Sequence, residues 1–248
     1  MAFDLNQIRM PSELLLENGI NMLIYGRAGT GKTRSALTAP KPLLWAIENG
    51  LLSLQSEQIP VVQLPIQENI NDAVTKKGTY PFACIDDFID WCVKQTQYET
   101  IIVDSLSELT TVIFSYYSEV EKNIQRAYGL MADDVIKWIK KLYYAKCNTV
   151  LICKEKTINR GTKENPIEAF APSFAGQLTA TELSHLVDYI LRIDKKAFQV
   201  NGKFEEYNVF CTQNKSNYAA RDRSGKLAEY ELVDNGLSYL MNKSKGLI

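Results

Sequence analysis

Apolar residues fall into two rhythms along this chain. Short continuous runs, Met22-Leu23-Ile24-Tyr25, Leu43-Leu44-Trp45-Ala46-Ile47, Ile101-Ile102-Val103 and Thr149-Val150-Leu151-Ile152-Cys153, predict strands buried on both faces. A shorter strand is predicted from Ile59 to Leu64, and a later one from Tyr189 to Ile193. Between the runs the apolar positions switch to a helical period. Phe82, Ile85, Phe88, Ile89, Cys92 and Val93 share one face; so do Leu106, Leu109, Val112, Ile113 and Tyr117, and then Val135, Ile136, Ile139, Leu142 and Tyr143. Arg34 to Leu37 predicts a helix that Pro40-Lys41-Pro42 stops, and a short helix is predicted from Thr181 to Val187. Strands alternating with helices define an α/β protein with a mostly parallel sheet, helices on both faces and a ligand at the C-terminal strand ends.

Two stretches break the rhythm. From about Thr157 to Gly176 the chain turns polar and carries Gly161, Pro166, Pro172 and Gly176, which predicts a long, mobile, functional loop. Beyond Tyr189 the turn pairs Asn201-Gly202 and Ser224-Gly225 predict an antiparallel hairpin extension.

Composition narrows the options. A length of 248 residues suits one α/β domain with a small appendage, and we read 1–248 as a single domain with its core at about 15–240. The formal net charge of −1 announces no nucleic-acid partner through bulk charge and excludes no local basic patch. His185 is the sole histidine, which removes Ser-His-Asp hydrolases, histidine-based metalloproteases and most zinc enzymes. It reads as a structural or surface residue. Cys84, Cys92, Cys147, Cys153 and Cys211 form no metal-ligand spacing and read as reduced core residues. With no apolar run of membrane-spanning length and no signal-peptide pattern at Met1-Ala2-Phe3-Asp4-Leu5, the expectation is a soluble, cytoplasmic protein without a membrane partner.

Candidate chemistry gathers behind the first strand. Gly26-Arg27-Ala28-Gly29-Thr30-Gly31-Lys32-Thr33 fits the phosphate-loop pattern G-x-x-x-x-G-K-[ST] at every fixed position, between a predicted strand and a predicted helix opened by Arg34. Glycines let backbone N–H groups wrap a polyphosphate. Lys32 is expected on the β- and γ-phosphates and Thr33 on Mg²⁺. Asp104 ends an apolar strand and is the expected second metal-side acid; a helix N-cap is the competing account, since Ser105-Leu106-Ser107-Glu108 follows. Glu48 ends the strand after the loop helix and is the expected water-orienting acid, against a solvated acid in the turn Glu48-Asn49-Gly50. Glu108 lies one turn into a helix and is read as too far along. Glu155 or Lys156, past the Thr149–Cys153 strand, is expected to sense the γ-phosphate.

These pieces resemble the RecA-type ATPase core. The phosphate loop, Glu48 and Ile101-Ile102-Val103-Asp104-Ser105 carry the resemblance. It implies a RecA-like P-loop fold, ATP and Mg²⁺ as ligands, adenine as base, and a mobile DNA-binding loop after the sensor strand. No Asn-Lys-x-Asp guanine-reading motif occurs, because Asn214-Lys215-Ser216-Asn217 lacks the acid. In detail the chain is similar to phage RecA-core-only single-strand annealing proteins of the Sak group, through Tyr25-Gly26, Pro42-Leu43-Leu44, Val103-Asp104-Ser105 and Tyr218-Ala219-Ala220-Arg221-Asp222-Arg223. That resemblance implies a phage protein of the bacterial cytoplasm acting in DNA recombination. It also implies single-stranded DNA as partner, a homo-oligomeric ring or filament, and contact with a single-stranded DNA-binding protein.

The basic residues between Lys137 and Lys163 face one acid, Glu155. Lys137, Lys140, Lys141, Arg160 and Lys163, with Phe170 and Phe174, are the expected DNA contacts, against a solvated helix face and an ordinary loop. Lys215, Arg221 and Arg223 are the expected cations reaching a neighbouring subunit's nucleotide, against a solvated hairpin. A DNA motor or packaging ATPase and a nucleotide-gated protein-binding switch with little hydrolysis are the rival readings. A small-molecule kinase fits less well, for want of an arginine-rich lid.

Overall fold

The computed structural model describes residues 19–48, 50, 54–75 and 80–248. Asn49 of the expected turn after Glu48 lies outside them, as does the start of the expected core.

The buried run at Asn21–Gly26 (β1) lies at the centre of one sheet, flanked by parallel strands Asn148–Asn159 (β5) and Tyr189–Val200 (β7). Outward from β5 follow Thr100–Asp104 (β4), Pro42–Ala46 (β2) and Val61–Val62 (β3), all parallel. Outward from β7 lie Lys203–Cys211 (β8) and Tyr230–Leu232 (β10), both antiparallel to their neighbours, and the two-residue Arg221–Asp222 (β9) also pairs antiparallel with β7. The order β10-β8-β7-β1-β5-β4-β2-β3 therefore places β5 between the loop-bearing strand and the acid-bearing strand. This is a mostly parallel sheet with an antiparallel C-terminal extension. The β7–β8 turn carries Asn201 at φ 50° and Gly202 at φ 79°, both left-handed, which is what the Asn-Gly signal of a tight hairpin demands.

Alternation along the central strands sends side chains to two cores. Leu23, Tyr25, Trp45, Val103, Leu151 and Cys153 point to one face. There they meet Ala83–Lys94 (α3), Leu106–Val120 (α4), Ile124–Tyr143 (α5) and Gln177–Leu186 (α6). Met22, Ile24, Leu44, Ile102, Val150 and Ile152 point to the other, under Lys32–Ala36 (α1) and Gly236–Lys245 (α7). Helix Ile66–Thr75 (α2) packs at the β3 side. Two helices are fixed at their starts by side chains. Ser105 Oγ accepts from Glu108 N at 3.2 Å at the head of α4, and Asn123 Oδ1 accepts from Gln125 N at 2.9 Å at the head of α5. Fully buried Trp138 of α5 donates its indole N–H to Asp86 Oδ1 of α3 at 2.8 Å, so a polar atom is satisfied while the ring fills the core.

The polar stretch 157–176 is not an open loop. Strand β5 runs on past the sheet edge to Asn159, and Glu168–Pro172 (β6) returns antiparallel to it. Its polarity follows from leaving the sheet: an arm without helices on both faces has no need of apolar residues. Asn159 Oδ1 closes the turn by accepting from Gly161 N at 2.9 Å and Ile167 N at 3.0 Å. The arm is tied down where Phe170 N donates to Asn217 O at 2.9 Å and Ala219 N to Phe170 O at 3.0 Å. Further differences are small. Helix α6 starts at Gln177 rather than Thr181, and the strand expected over 59–64 shrinks to Val61–Val62. Among the described residues no helix is long and apolar enough to cross a membrane.

Candidate active site

The glycine loop leaves β1 at the C-terminal edge of the sheet. A Cβ on Gly26 would meet the carbonyl oxygen of Ile193 at 2.8 Å, so the loop begins hard against β7. Gly29 and Gly31 sit at φ 75° and 82° with open space beside them; backbone conformation, not crowding, requires glycine there. Lys32 Nζ lies along the loop, donating to Gly26 O at 3.0 Å and Arg27 O at 2.8 Å. Burial lowers its pKa, while Asp104, Glu155 and Glu48 pull it back up.

A cavity of about 650 Å³ opens over the loop. That is ample for a nucleotide. Lys32, Thr33, Glu48, Asp104, Lys154 and Phe170 all line it. Thr33 Oγ1 donates to Asp104 Oδ2 at 2.6 Å, so a hydroxyl from α1 and a carboxylate from β4 converge. The carboxyl of Asp104 is held above the usual carboxylate range by burial; the Thr33 hydrogen bond opposes this and the charge of Glu48 adds to it. The N-cap of α4 is Ser105, so the strand-end acid is left with its side chain in the cavity. A hydroxyl beside one partly buried carboxylate is a hard-oxygen pair that fits Mg²⁺, with phosphate and water completing the shell. Among the described residues no group of three or more His, Cys, Asp and Glu side chains could hold a metal ion.

Glu48 faces the same cavity from the end of β2. One backbone tie and one side-chain tie place it: Ile47 N donates to Asp104 O at 2.7 Å, and Ser105 Oγ donates to Glu48 Oε1 at 2.5 Å. The same carboxylate oxygen pairs with Lys154 Nζ at 3.1 Å, and Glu108 Oε2 takes that ammonium at 2.8 Å. The Glu108 hydrogen bond raises the Lys154 pKa against the effect of burial. Glu108, read from sequence as too distant, is therefore in contact with the site: the sharp entry into α4 at Ser105 brings the first helical turn back over β5.

Lys154, Glu155 and Lys156 of β5 have different surroundings. In the β1–β5 register Lys154 stands beside Gly26. Glu155 lines the same cavity, nearly buried in its wall, where its oxygens meet Arg192 Nε at 2.7 Å and Arg27 Nε at 3.5 Å. Lys156 lines a separate groove of about 540 Å³ with Gln125, Tyr128, Phe174 and Gln177. Sequence reasoning missed both Lys154 as a cavity residue and Arg192, whose side chain is 3% exposed. The signal for Arg192 was present as a lone charge inside the apolar run Tyr189–Ile193.

Residues 18–224 match the AAA domain family. This chain belongs to that family. As an AAA-domain chain with an intact phosphate loop, it is a nucleotide-binding P-loop ATPase. Among solved structures it is similar to the KaiC-like protein PH0186 from the hyperthermophilic archaeon Pyrococcus horikoshii OT3. That likeness has 12% identity, covers 78% of each chain and has a TM-score of 0.39. No curated protein sequence matches it significantly.

The expected DNA contacts of this AAA-domain chain scatter. Lys137 pairs with Asp86 at 2.9 Å and Lys141 with Asp90 at 2.6 Å, across α5 and α3; Lys140 and Lys163 are exposed. Arg160 donates to the carbonyls of Lys215 and Tyr218 at 2.8 and 3.3 Å. Phe174 packs against the core, 9% exposed, and contributes only a little surface to the groove beside Lys156. Phe170 is held between guanidiniums, with Arg192 at 4.5 Å and Arg27 at 5.4 Å from its ring centre. The late cations are also engaged within the chain. Arg221 donates to the carbonyls of Ser184 and Val187, Arg223 to Asp188 Oδ1 at 3.0 Å and His185 O at 2.8 Å, and Lys215 pairs with Glu229 at 3.0 Å. Both arginines thus close the C-terminal end of α6, whose last carbonyls lack helical partners. His185 is exposed and lies outside the cavity.

Proposed function

We propose that this ATPase hydrolyses ATP with Mg²⁺, binds single-stranded DNA, and promotes annealing or strand pairing in phage recombination as a homo-oligomer. The observation that carries the chemistry is the Thr33–Asp104 contact of 2.6 Å, in one cavity with Glu48. Thr33 and Asp104 would hold the metal, which when bound offsets phosphate charge. Lys32 neutralises the β- and γ-phosphates. Glu48 orients the attacking water and accepts its proton as the water oxygen bonds to the γ-phosphorus. The bond from that phosphorus to the β-bridging oxygen breaks with its electron pair leaving on ADP. Ser105 keeps Glu48 aimed, through the 2.5 Å hydrogen bond.

Support for the DNA part comes from the Sak-type sequence resemblance and from the arm built on β5 and β6. At the base of that arm the groove beside Lys156 exposes Tyr128, 39% accessible, so a cation and an aromatic face lie together. This groove replaces the face of Lys137 and Lys141 as the favoured strand-binding surface. One observation favours the second reading, a nucleotide-gated switch that binds protein. Leu178 on the groove and Ile124 at the head of α5 are 53% and 52% exposed, more apolar surface than a DNA strand requires. Fluorescence anisotropy of a labelled single-stranded oligonucleotide, with and without Mg²⁺ and ATP, separates the two. Nucleotide-dependent binding supports the first; absent binding, beside intact ATP binding, supports the second.

A further inference from the structure

A cavity of about 420 Å³ opens at the other end of the sheet from the phosphate loop. Gly19 and Ile20, just before β1, and Tyr189, the first residue of β7, line it. The loop leaves the far end of β1, a strand about 20 Å long, so the two cavities are separate. Three cations reach this recess: Arg223 and Lys226 from the turn after β9, and Lys245 from the last turn of α7. One acid, Asp188, stands beside them and is already engaged. Its Oδ1 pairs with Arg223 at 3.0 Å, and its Oδ2 accepts from Asn21 N at 3.0 Å. Among the described residues no carboxylate pairs with Lys226 or Lys245, although Lys245 is half-buried. The end of α7 is closed by backbone instead: Gly246 N donates to Lys243 O at 3.0 Å and Leu247 N to Asn242 O at 2.9 Å. A Cβ on Gly246 would fall 2.6 Å from Lys226 Nζ, so that ammonium lies over the helix end where no side chain stands. Behind the cations the floor is hydroxyl. The phenol of Tyr189, 5% exposed, is hydrogen-bonded with Ser224 and Ser244, which also line the cavity. The helix dipole accounts for a cation such as Lys245 on its own last turn. It does not account for Lys226, which arrives from another segment against the repulsion of its neighbours.

We propose that this recess is a second anion site, separate from the phosphate loop, and that it takes a terminal phosphate monoester. A phosphate dianion matches the two unpaired ammoniums in charge, and the hydroxyls of the floor supply neutral hydrogen-bond partners for its oxygens. Arg223 stays on Asp188 and adds charge at the rim. Tyr143 gives the recess an aromatic wall for the organic part of the ester. The volume is at the low end for a small-molecule site, which suits a compact ester or one terminal nucleotide rather than a run of strand. Two sources present this group: a free small phosphate ester, and the 5′-phosphorylated end of a DNA strand. The inference does not use the ATPase reading, and either stands without the other.

The test is calorimetric titration of the full chain with glycerol phosphate, and separately with ADP and Mg²⁺, at constant ionic strength. Wild type is compared with the double variants K226M/K245M and K226R/K245R and with K32A. K226M/K245M is expected to lose about tenfold or more in affinity for glycerol phosphate, with ADP binding unchanged. K226R/K245R, which keeps both charges, is expected to retain most of it. K32A is expected to show the converse: weakened ADP binding and intact glycerol phosphate binding. A wild-type chain that binds ADP but no glycerol phosphate would overturn the second site and leave the nucleotide site standing. So would glycerol phosphate binding that is equal in wild type and K226M/K245M, or that disappears in K32A. The source of the ester is read with hexathymidylate. Binding that needs a 5′-phosphate together with Lys226 and Lys245 supports a site for strand ends; equal binding with and without the 5′-phosphate, beside intact glycerol phosphate binding, supports a site for a free ester.

Discussion

Ser105 Oγ donates to Glu48 Oε1 at 2.5 Å while accepting from Glu108 N at 3.2 Å. One hydroxyl therefore starts helix α4 and aims the acid expected to handle water. Two variants separate these duties. Glu48→Gln keeps the shape and removes the base, so turnover is expected to fall by about 100-fold or more with nucleotide affinity intact. Ser105→Ala loses the cap and the aim together. It is expected to destabilise the fold by about 1 kcal/mol and to slow turnover by less than Glu48→Gln does. Single-turnover kinetics and urea melts read the two effects.

Asp104 supplies a pH dependence with a definite sign. Burial holds its carboxyl above the usual range, so over the interval between its ordinary and its raised value the folded chain keeps a proton that the unfolded chain has lost. Stability from this group is present below the ordinary carboxylate value and is lost as pH rises through the raised one. Asp104→Asn removes that loss and retains an acceptor for Thr33. The nucleotide-free variant is expected to melt higher than wild type at neutral pH, and the advantage is expected to shrink on acidification. The same variant is expected to need about tenfold or more Mg²⁺ for tight ATP binding. Thermal melts across pH and Mg²⁺ titrations of nucleotide binding check both halves.

Arg192 and Glu155 form a buried pair at 2.7 Å, with side chains 3% and 6% exposed. Desolvation of both charges is already spent in the folded state, so removing one partner strands the other. Arg192→Met is expected to cost about 3–5 kcal/mol, read as a lower urea midpoint. Arg27 at 3.5 Å from Glu155 stays available and moderates the loss, so the double variant with Arg27→Met is expected to fall further than the two single effects summed.

The sequence announced the phosphate loop because only glycine tolerates φ 75° and 82° at Gly29 and Gly31, and Lys32-Thr33 follows at fixed spacing. The central strands were equally legible, since burial on both faces demands unbroken apolar runs. Lys154 and Glu108 were not. Their meeting depends on where β5 outruns the sheet and on how sharply α4 turns in at Ser105, and neither leaves a periodic mark. The polar stretch 157–176 predicts a loop because strands that leave a sheet carry polar residues. Phe170 and Phe174 lay in that polar stretch, so their inward packing had no local signal. Arg160 and Arg221 carry no local signal of engagement because their partners are backbone carbonyls, which any sequence supplies, and Arg223 divides itself between the His185 carbonyl and the Asp188 carboxylate.

The groove beside the arm gives a DNA prediction. Lys156→Ala and Tyr128→Ala are each expected to weaken oligonucleotide binding by about tenfold, with Lys156→Ala also lowering the salt dependence. Lys137→Ala is expected to leave it near wild type, because that ammonium is engaged by Asp86 at 2.9 Å. Anisotropy titrations at two salt concentrations distinguish these outcomes.

The most direct test of the account is ATP turnover by the purified chain with Mg²⁺, with and without a single-stranded oligonucleotide, beside Lys32→Ala. The account predicts turnover that rises with the oligonucleotide and vanishes in Lys32→Ala. Turnover that ignores the oligonucleotide, or that survives in Lys32→Ala, would contradict it.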